Sequence, residues 1–391
     1  MRRLLEESFR AAVAAADPLA ILAQHLPSRP PGRVFVAAAG KAAASMALAV
    51  EREWGPVDGV AVTRYGHGLP TQRIRVIEAG HPVPDAAGEQ GAREILESAK
   101  RLGRDDLLLV LISGGGSSLL SLPAPGVTMN ELKSLTGRLL KSGAEIREMN
   151  TVRKHLSAIA GGRLAAACRG KVVALIISDV VGDDPTHIAS GPCAADPTTI
   201  DDAKAILARY RIDFKGPFSE SPKSVAAENK VVATALRSLQ AAGDVFRKAG
   251  FRPEILGDTI TGEAREVGRE MAQKALRAKG PVALISGGEC TVTIADTREN
   301  AGGRGGRCAE FLLSLGIENP QCWAIAADTD GIDGSEDNAC AVWSPDLAQR
   351  PGAREALARH DSYGFFKDAN ALVMTGPTRT NVNDYRAILV T

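Results

Sequence analysis

Six cysteines are all that 391 residues contain, and no two of them form a C-x-x-C pair. Cys168, Cys193, Cys290, Cys308, Cys322 and Cys340 lack the spacing of a zinc site, and a disulfide framework is foreign to a chain this long. They read as reduced thiols of a cytoplasmic protein. No run reaches the roughly 20 apolar residues that a membrane span needs. Leu5, Phe9, Ala12, Val13 and Ala16 share one helical face near the N-terminus, but Glu6, Glu7, Arg10 and Asp17 interrupt it. Neither a signal peptide nor a membrane span is expected there. Charge of one sign is missing too. A formal net charge of +1 excludes the concentrated basic field that nucleic acid or an acidic membrane would require. Also absent are G-x-S-x-G, H-E-x-x-H and G-x-x-x-x-G-K-[ST], the commonest hydrolase, metalloprotease and P-loop signatures. Aromatic residues make up only 4% of the chain.

What is present points to an α/β protein. Forty glycines, with many alanines and valines, suit numerous close strand-to-helix turns. Short apolar runs alternate with helical patterns, which predicts mainly parallel sheets flanked by helices. The length exceeds one compact core, so two domains are expected, 1–245 and 246–391. Ligands of such sheets sit beyond the carboxyl ends of the strands, and the chemistry-bearing segments fall there.

Foremost is the buried run at 107–112, which breaks into Ser113, Gly114, Gly115, Gly116, Ser117 and Ser118. Glycines admit a ligand close to the backbone while amides and hydroxyls serve as donors, so the loop suits a phosphate; a tight glycine-rich turn is the plainer alternative. Lys41 opens a helix after the strand at 34–38, and a cation there conflicts with the helix dipole unless an anion offsets both. The same segment half-matches a dinucleotide fingerprint without its first glycine, with Asp58 near the offset of a ribose-binding acid. Asp179, Asp183 and Asp184 cluster past the strand at 171–178, and Asp328, Asp330 and Asp333 form a second cluster. Either set suits a hard cation such as Mg²⁺, or else Asx turns. Arg307, among glycines at a helix start, suits anion binding. Arg153 belongs to a basic segment at 153–163, whereas His81, His155 and His187 read as structural.

In order along the chain, EAGHPVPDAAG (78–88), ISGGGSSLL (112–120), NTVRKHLSAIAGGRLA (150–165), SDVVGDDPTHIASGP (178–192), GDTITGEAREVG (257–268), GRGGRCAEF (303–311), AADTDGIDGSEDNA (326–339) and TGPTRTNVND (375–384) resemble the glycerate 2-kinase family with a C-terminal MOFRL domain. The resemblance implies a Rossmann-like N-terminal domain, a smaller C-terminal domain and an active-site cleft between them. It implies transfer of the γ-phosphate of ATP, with Mg²⁺, to the 2-hydroxyl of D-glycerate, in a monomer or homodimer. Carried onto this chain, the loop from Ser113 to Ser118 would hold nucleotide phosphates. Lys41, Asp179 and Arg307 would be catalytic, and Lys41, Arg307, Asn150 and Arg153 would bind substrate. Asp179, Asp183, Asp328 and Asp330 would serve the metal. One departure stands out: the family usually reads GGRNQE where this chain has GGRCAE at 305–310. A nicotinamide-dependent hydroxypyruvate reductase is the competing reading, and a non-catalytic binding protein a third.

Overall fold

A computed structural model describes residues 1–294 and 303–391. The chain forms two compact units, one of Pro18–Val232 and one of Met1–Asp17 with Ala233–Thr391.

In the first unit, β1 (Val34–Ala39), β2 (Asp58–Arg64), β3 (Ile74–Ala79), β4 (Leu107–Ile112), β5 (Lys171–Ile177) and β6 (Glu228–Ala233) form one sheet in the order β3-β2-β1-β4-β5-β6. Strands β1 to β5 pair in parallel. Every residue of β4 is buried, which explains its unbroken apolar composition. Helix Ala86–Lys100 begins at Asp85, whose carboxylate accepts the Gly88 N–H at 3.0 Å. Its Ala92, Ile95 and Leu96 pack with Val60, Val62 and Val110. Each large apolar side chain so buried stabilises the fold by roughly 1.5–3 kcal/mol. The strand order reverses between β1 and β4, whose ends meet at Ala39 opposite Ile112. Segments leaving those two strands therefore emerge side by side at a switch point, where open α/β sheets place ligands.

The second unit contains β7 (Arg252–Ile255), β8 (Gly262–Glu263), β9 (Val282–Gly288), β10 (Cys290–Thr291), β11 (Trp323–Asp328), β12 (Cys340–Trp343), β13 (Leu372–Val373) and β14 (Asp384–Val390). Its main sheet runs β13-β12-β11-β14-β9-β7. Here the expectation of parallel pairing is corrected. Among the described residues of this main sheet β7 and β9 pair in parallel and the other neighbours are antiparallel, while β8 and β10 form a separate parallel pair. The physical reason is connection: β11 reaches β12 through a loop, with no crossover helix to turn the chain around. Strand β10 ends at Thr291, and residues 292–294 carry no regular secondary structure.

The break written at 245/246 falls inside helix Ala235–Lys248. Helix Arg2–Ala14 also belongs to this unit. Leu5, Phe9 and Ala12 share a core with Leu239, Ala242, Phe246 and Tyr385, and Ser8 Oγ lies 2.7 Å from the Tyr385 hydroxyl.

Candidate functional site

The loops after β1 and β4 are stitched to each other. Ser113 N–H donates to Ala39 O at 3.0 Å, and Lys41 N–H to Gly114 O at 2.8 Å. Ser113 Oγ accepts the Ala42 N–H at 2.9 Å. Gly40 has φ of +125°, and a Cβ there would collide with Ser113 Oγ, so only glycine fits. Ser113 is fully buried and its hydroxyl is spent on the loop itself. The N–H of Gly116 returns to Ser113 O at 3.2 Å, whereas those of Gly114 and Gly115 meet no protein acceptor among the described residues. Those two amides are among the donors the loop retains.

Lys41 and His81 flank these glycines. A Cβ at Gly115 would stand 3.4 Å from Lys41 Cγ and 3.1 Å from His81 Cε1. His81 Nδ1 lies 2.7 Å from Ser118 Oγ. Burial pushes the imidazole down to about 3, and the charges of Lys41, Arg64 and His67 add to the effect. His81 is thus a neutral hydrogen-bonding group in a positive field gathered from the ends of β1, β2 and β3. Such a field attracts an anion. The sequence reading set His81 aside as structural; only the fold brings it to the loop.

On the far side of the loop, Arg153 donates to Ser117 O at 2.9 Å, and burial lowers the pKa of its guanidinium. Ser117 Oγ lies 2.9 Å from Ser190 Oγ, which donates to Asn150 Oδ1 at 3.4 Å. Ala189, Ser190 and Gly191 have consecutive φ values of 50°, 59° and 62°. This left-handed turn fits against Gly116, where a Cβ would meet Ala189 Cβ at 2.6 Å. Asn150 and Arg153 therefore gather with the loop, together with Ser190, which no sequence signal marked.

Asp179 and Asp183 are half-buried on the loop after β5, with Asp183 at φ of 54°. Asp184 Oδ1 accepts the Thr186 N–H at 2.9 Å. Among the described residues no three His, Cys, Asp or Glu side chains converge on one point. Mg²⁺ commonly takes one or two carboxylates and fills its sphere with phosphates and waters. Asp179 and Asp183 fit that mode as hard oxygen donors.

In the second unit Arg307 starts helix Arg307–Glu318. Its Nε donates to Asp384 at 2.8 Å, Nη2 to Asp328 at 2.7 Å, and Nη1 lies 3.1 Å from Glu289. Burial disfavours the charged guanidinium, but the three carboxylates outweigh it and hold the group protonated more firmly than usual. Arg307 thus sits among three carboxylates at the start of its helix. Asp328 uses one oxygen on Arg307 and the other on the Asp330 N–H, and Asp330 Oδ1 accepts the Ile332 N–H. Asp333 accepts the N–H groups of Cys308 and Ala309 at 3.0 and 2.9 Å. Burial raises its pKa to about 7 against those bonds, with help from Asp384 and Asp328. Cys308 and Ala309, the departure from GGRNQE, are fully buried in the core of this unit. Gly302 of the expected clamp loop lies outside the described residues.

A parallel sheet with a glycine loop and a lysine at its switch point defines a nucleotide- or phosphate-handling α/β protein. Comparison with known proteins narrows this class. Residues 4–223 match the model of a domain of unknown function, DUF4147, and residues 282–384 match the MOFRL family. A putative hydroxypyruvate reductase of Agrobacterium vitis is 50% identical, covering 100% of this chain and 94% of its own. A glycerate 2-kinase of Pyrococcus horikoshii is 40% identical, covering 92% of this chain and 88% of its own. A solved glycerate kinase structure from Thermotoga maritima superposes with a TM-score of 0.89 at 38% identity, covering 100% of this chain and 99% of that one. The chain belongs to the glycerate 2-kinase family with a C-terminal MOFRL domain.

Proposed function

We propose that this protein is a glycerate 2-kinase that transfers the γ-phosphoryl group of ATP to the 2-hydroxyl of D-glycerate, giving 2-phosphoglycerate and ADP. The observation that carries the reading is the convergence of Lys41, neutral His81 and the unspent amides of Gly114 and Gly115 at the sheet's switch point. Phosphoryl transfer asks a protein mainly for positioning and charge neutralisation. The two amides cradle phosphate oxygens and Lys41 offsets their charge. Arg153, Ser190 and Asn150 hold Ser117 and fix the loop's shape. The 2-hydroxyl oxygen bonds to the γ-phosphorus as the bond to the bridging oxygen of ADP breaks. The hydroxyl proton leaves late, to Asp179 or to solvent. Asp179 and Asp183 would hold a magnesium ion, which would supply further charge neutralisation.

The test is ADP release from D-glycerate and ATP, with the product then given to enolase alone. Consumption without added phosphoglycerate mutase identifies the 2-phospho product. Absence of ADP release with D-glycerate rejects the reading.

A hydroxypyruvate reductase is the second reading, favoured by the names of two relatives 50% and 49% identical and by the strand order, which dinucleotide-binding sheets share. The local geometry opposes it. A pyrophosphate would need the first amides of the helix after β1. The turn amides of Lys41 and Ala42 are donated to Gly114 and Ser113, and that of Ala43, the first in the helix, to Gly40 O at 3.1 Å. Asp58 begins β2 and pairs with Arg73 at 2.5 Å, at the opposite strand end from a ribose-binding acid. NADH oxidation by hydroxypyruvate discriminates the two.

A further inference from the structure

Beside the glycine loop lies a cavity of about 230 Å³ walled by Pro82, Val83, Leu140, Gly137, Ser121 and Arg153, among others. Resting on the kinase reading, we infer that this cavity receives the purine base of the nucleotide whose phosphates the loop holds. Three of its walls are tied to that loop. Pro82 follows His81, which lies against Gly115 and Ser118. Ser121 stands three residues beyond Ser118 on the same chain. Arg153 donates to Ser117 O. A nucleotide anchored by its phosphates on the loop, with its ribose between, has its base within reach of these walls.

The chemistry of the walls selects that group. A small hydroxy acid has little apolar surface to place against proline, valine and leucine, and would lose hydration there. A purine has two flat apolar faces and an edge of hydrogen-bonding atoms. Pockets for such groups are mostly apolar with a few placed polar groups. The Arg153 guanidinium adds a planar cation, which stacks on aromatic faces. Val83 and Leu140 are 62% and 66% exposed, so apolar surface is held open next to a polar loop.

Gly137 gives the experiment. It sits in helix Met129–Lys141, and a Cβ added there meets nothing within 4 Å. Gly137→Phe therefore fills the cavity without strain on the helix, and Leu140→Glu places a carboxylate at its exposed edge as an independent variant. Calorimetric titration of the full chain with ATP and with inorganic tripolyphosphate separates base from phosphates. The expected result is ATP binding weakened about tenfold or more in both variants, with tripolyphosphate binding unchanged and an unfolding temperature no lower than wild type. Unchanged ATP binding in both variants, or equal weakening of ATP and tripolyphosphate, overturns the base pocket and leaves the kinase reading standing. A wild-type protein that binds neither compound overturns both.

Discussion

Lys41 and Arg307 look alike in the sequence, each a cation at a helix start beside glycine, and the structure separates them. The Lys41 side chain stands beside Gly115 of the glycine loop, and Arg307 lies among Asp328, Asp384 and Glu289. Lys41→Ala is expected to lower kcat/KM by about a hundredfold or more, read by ADP release. Arg307→Ala leaves buried Asp328 and Asp384 without that counter-charge, and urea melts should show a loss of about 3–5 kcal/mol. Asp333 supplies a pH dependence. Its folded pKa, raised to about 7 by burial, lies above its unfolded value, so the folded state binds the proton more tightly. Its contribution is full in acid and is lost as pH rises toward and through 7. Melting temperatures of wild type and Asp333→Asn, followed from pH 5 to 8, should converge at the acidic end and part above it. Parallel curves would deny that Asp333 titrates in this range.

Elements were legible in proportion to how closely their burial follows their pattern. β4 is apolar throughout and buried throughout, and helix Met129–Lys141 opens with a capping box of Thr128 and Glu131. Both could be read from residues alone. The strand β14 could not: Asp384, Tyr385 and Arg386 break its apolar run, yet it lies at the centre of its sheet. Arg386 is buried because Asp384 accepts from it at 2.8 Å and the Phe311 ring lies 5.0 Å from its guanidinium carbon. Nothing local announces such partners. The same four residues, Ile-Ser-Gly-Gly, occur at 112–115 and 285–288 and fold differently. The first leaves its strand at Ile112, but the second stays in β9 to Gly288. Packing also fixes Gly316 in helix Arg307–Glu318, where a Cβ would be driven into the Trp343 ring. Gly316→Ala, although a better helix former, should destabilise the protein by about 1–3 kcal/mol in denaturant melts.

For the whole molecule, the first helix folds with the last strand. Phe9 is 1% exposed, and its ring lies 6.0 Å from that of Tyr385 in β14. Phe9→Ala should cost about 3–5 kcal/mol. Hydrogen exchange should report the loss in β14 and β9 while β1 and β4 keep their protection, because the two units have separate cores. Exchange rising equally in β1 and β4 would contradict that separation.

The sequence by itself determined the α/β class, the glycine loop, the lysine and the family, because apolar periodicity, backbone freedom at glycine and motif order are properties of neighbouring residues. Tertiary structure alone decided that Arg307 is occupied by carboxylates, that His81 and Ser190 attend the loop, and that β14 completes a sheet around the first helix. Those outcomes depend on which distant groups share a desolvated space, where each charge must find its partner, and no local pattern encodes that.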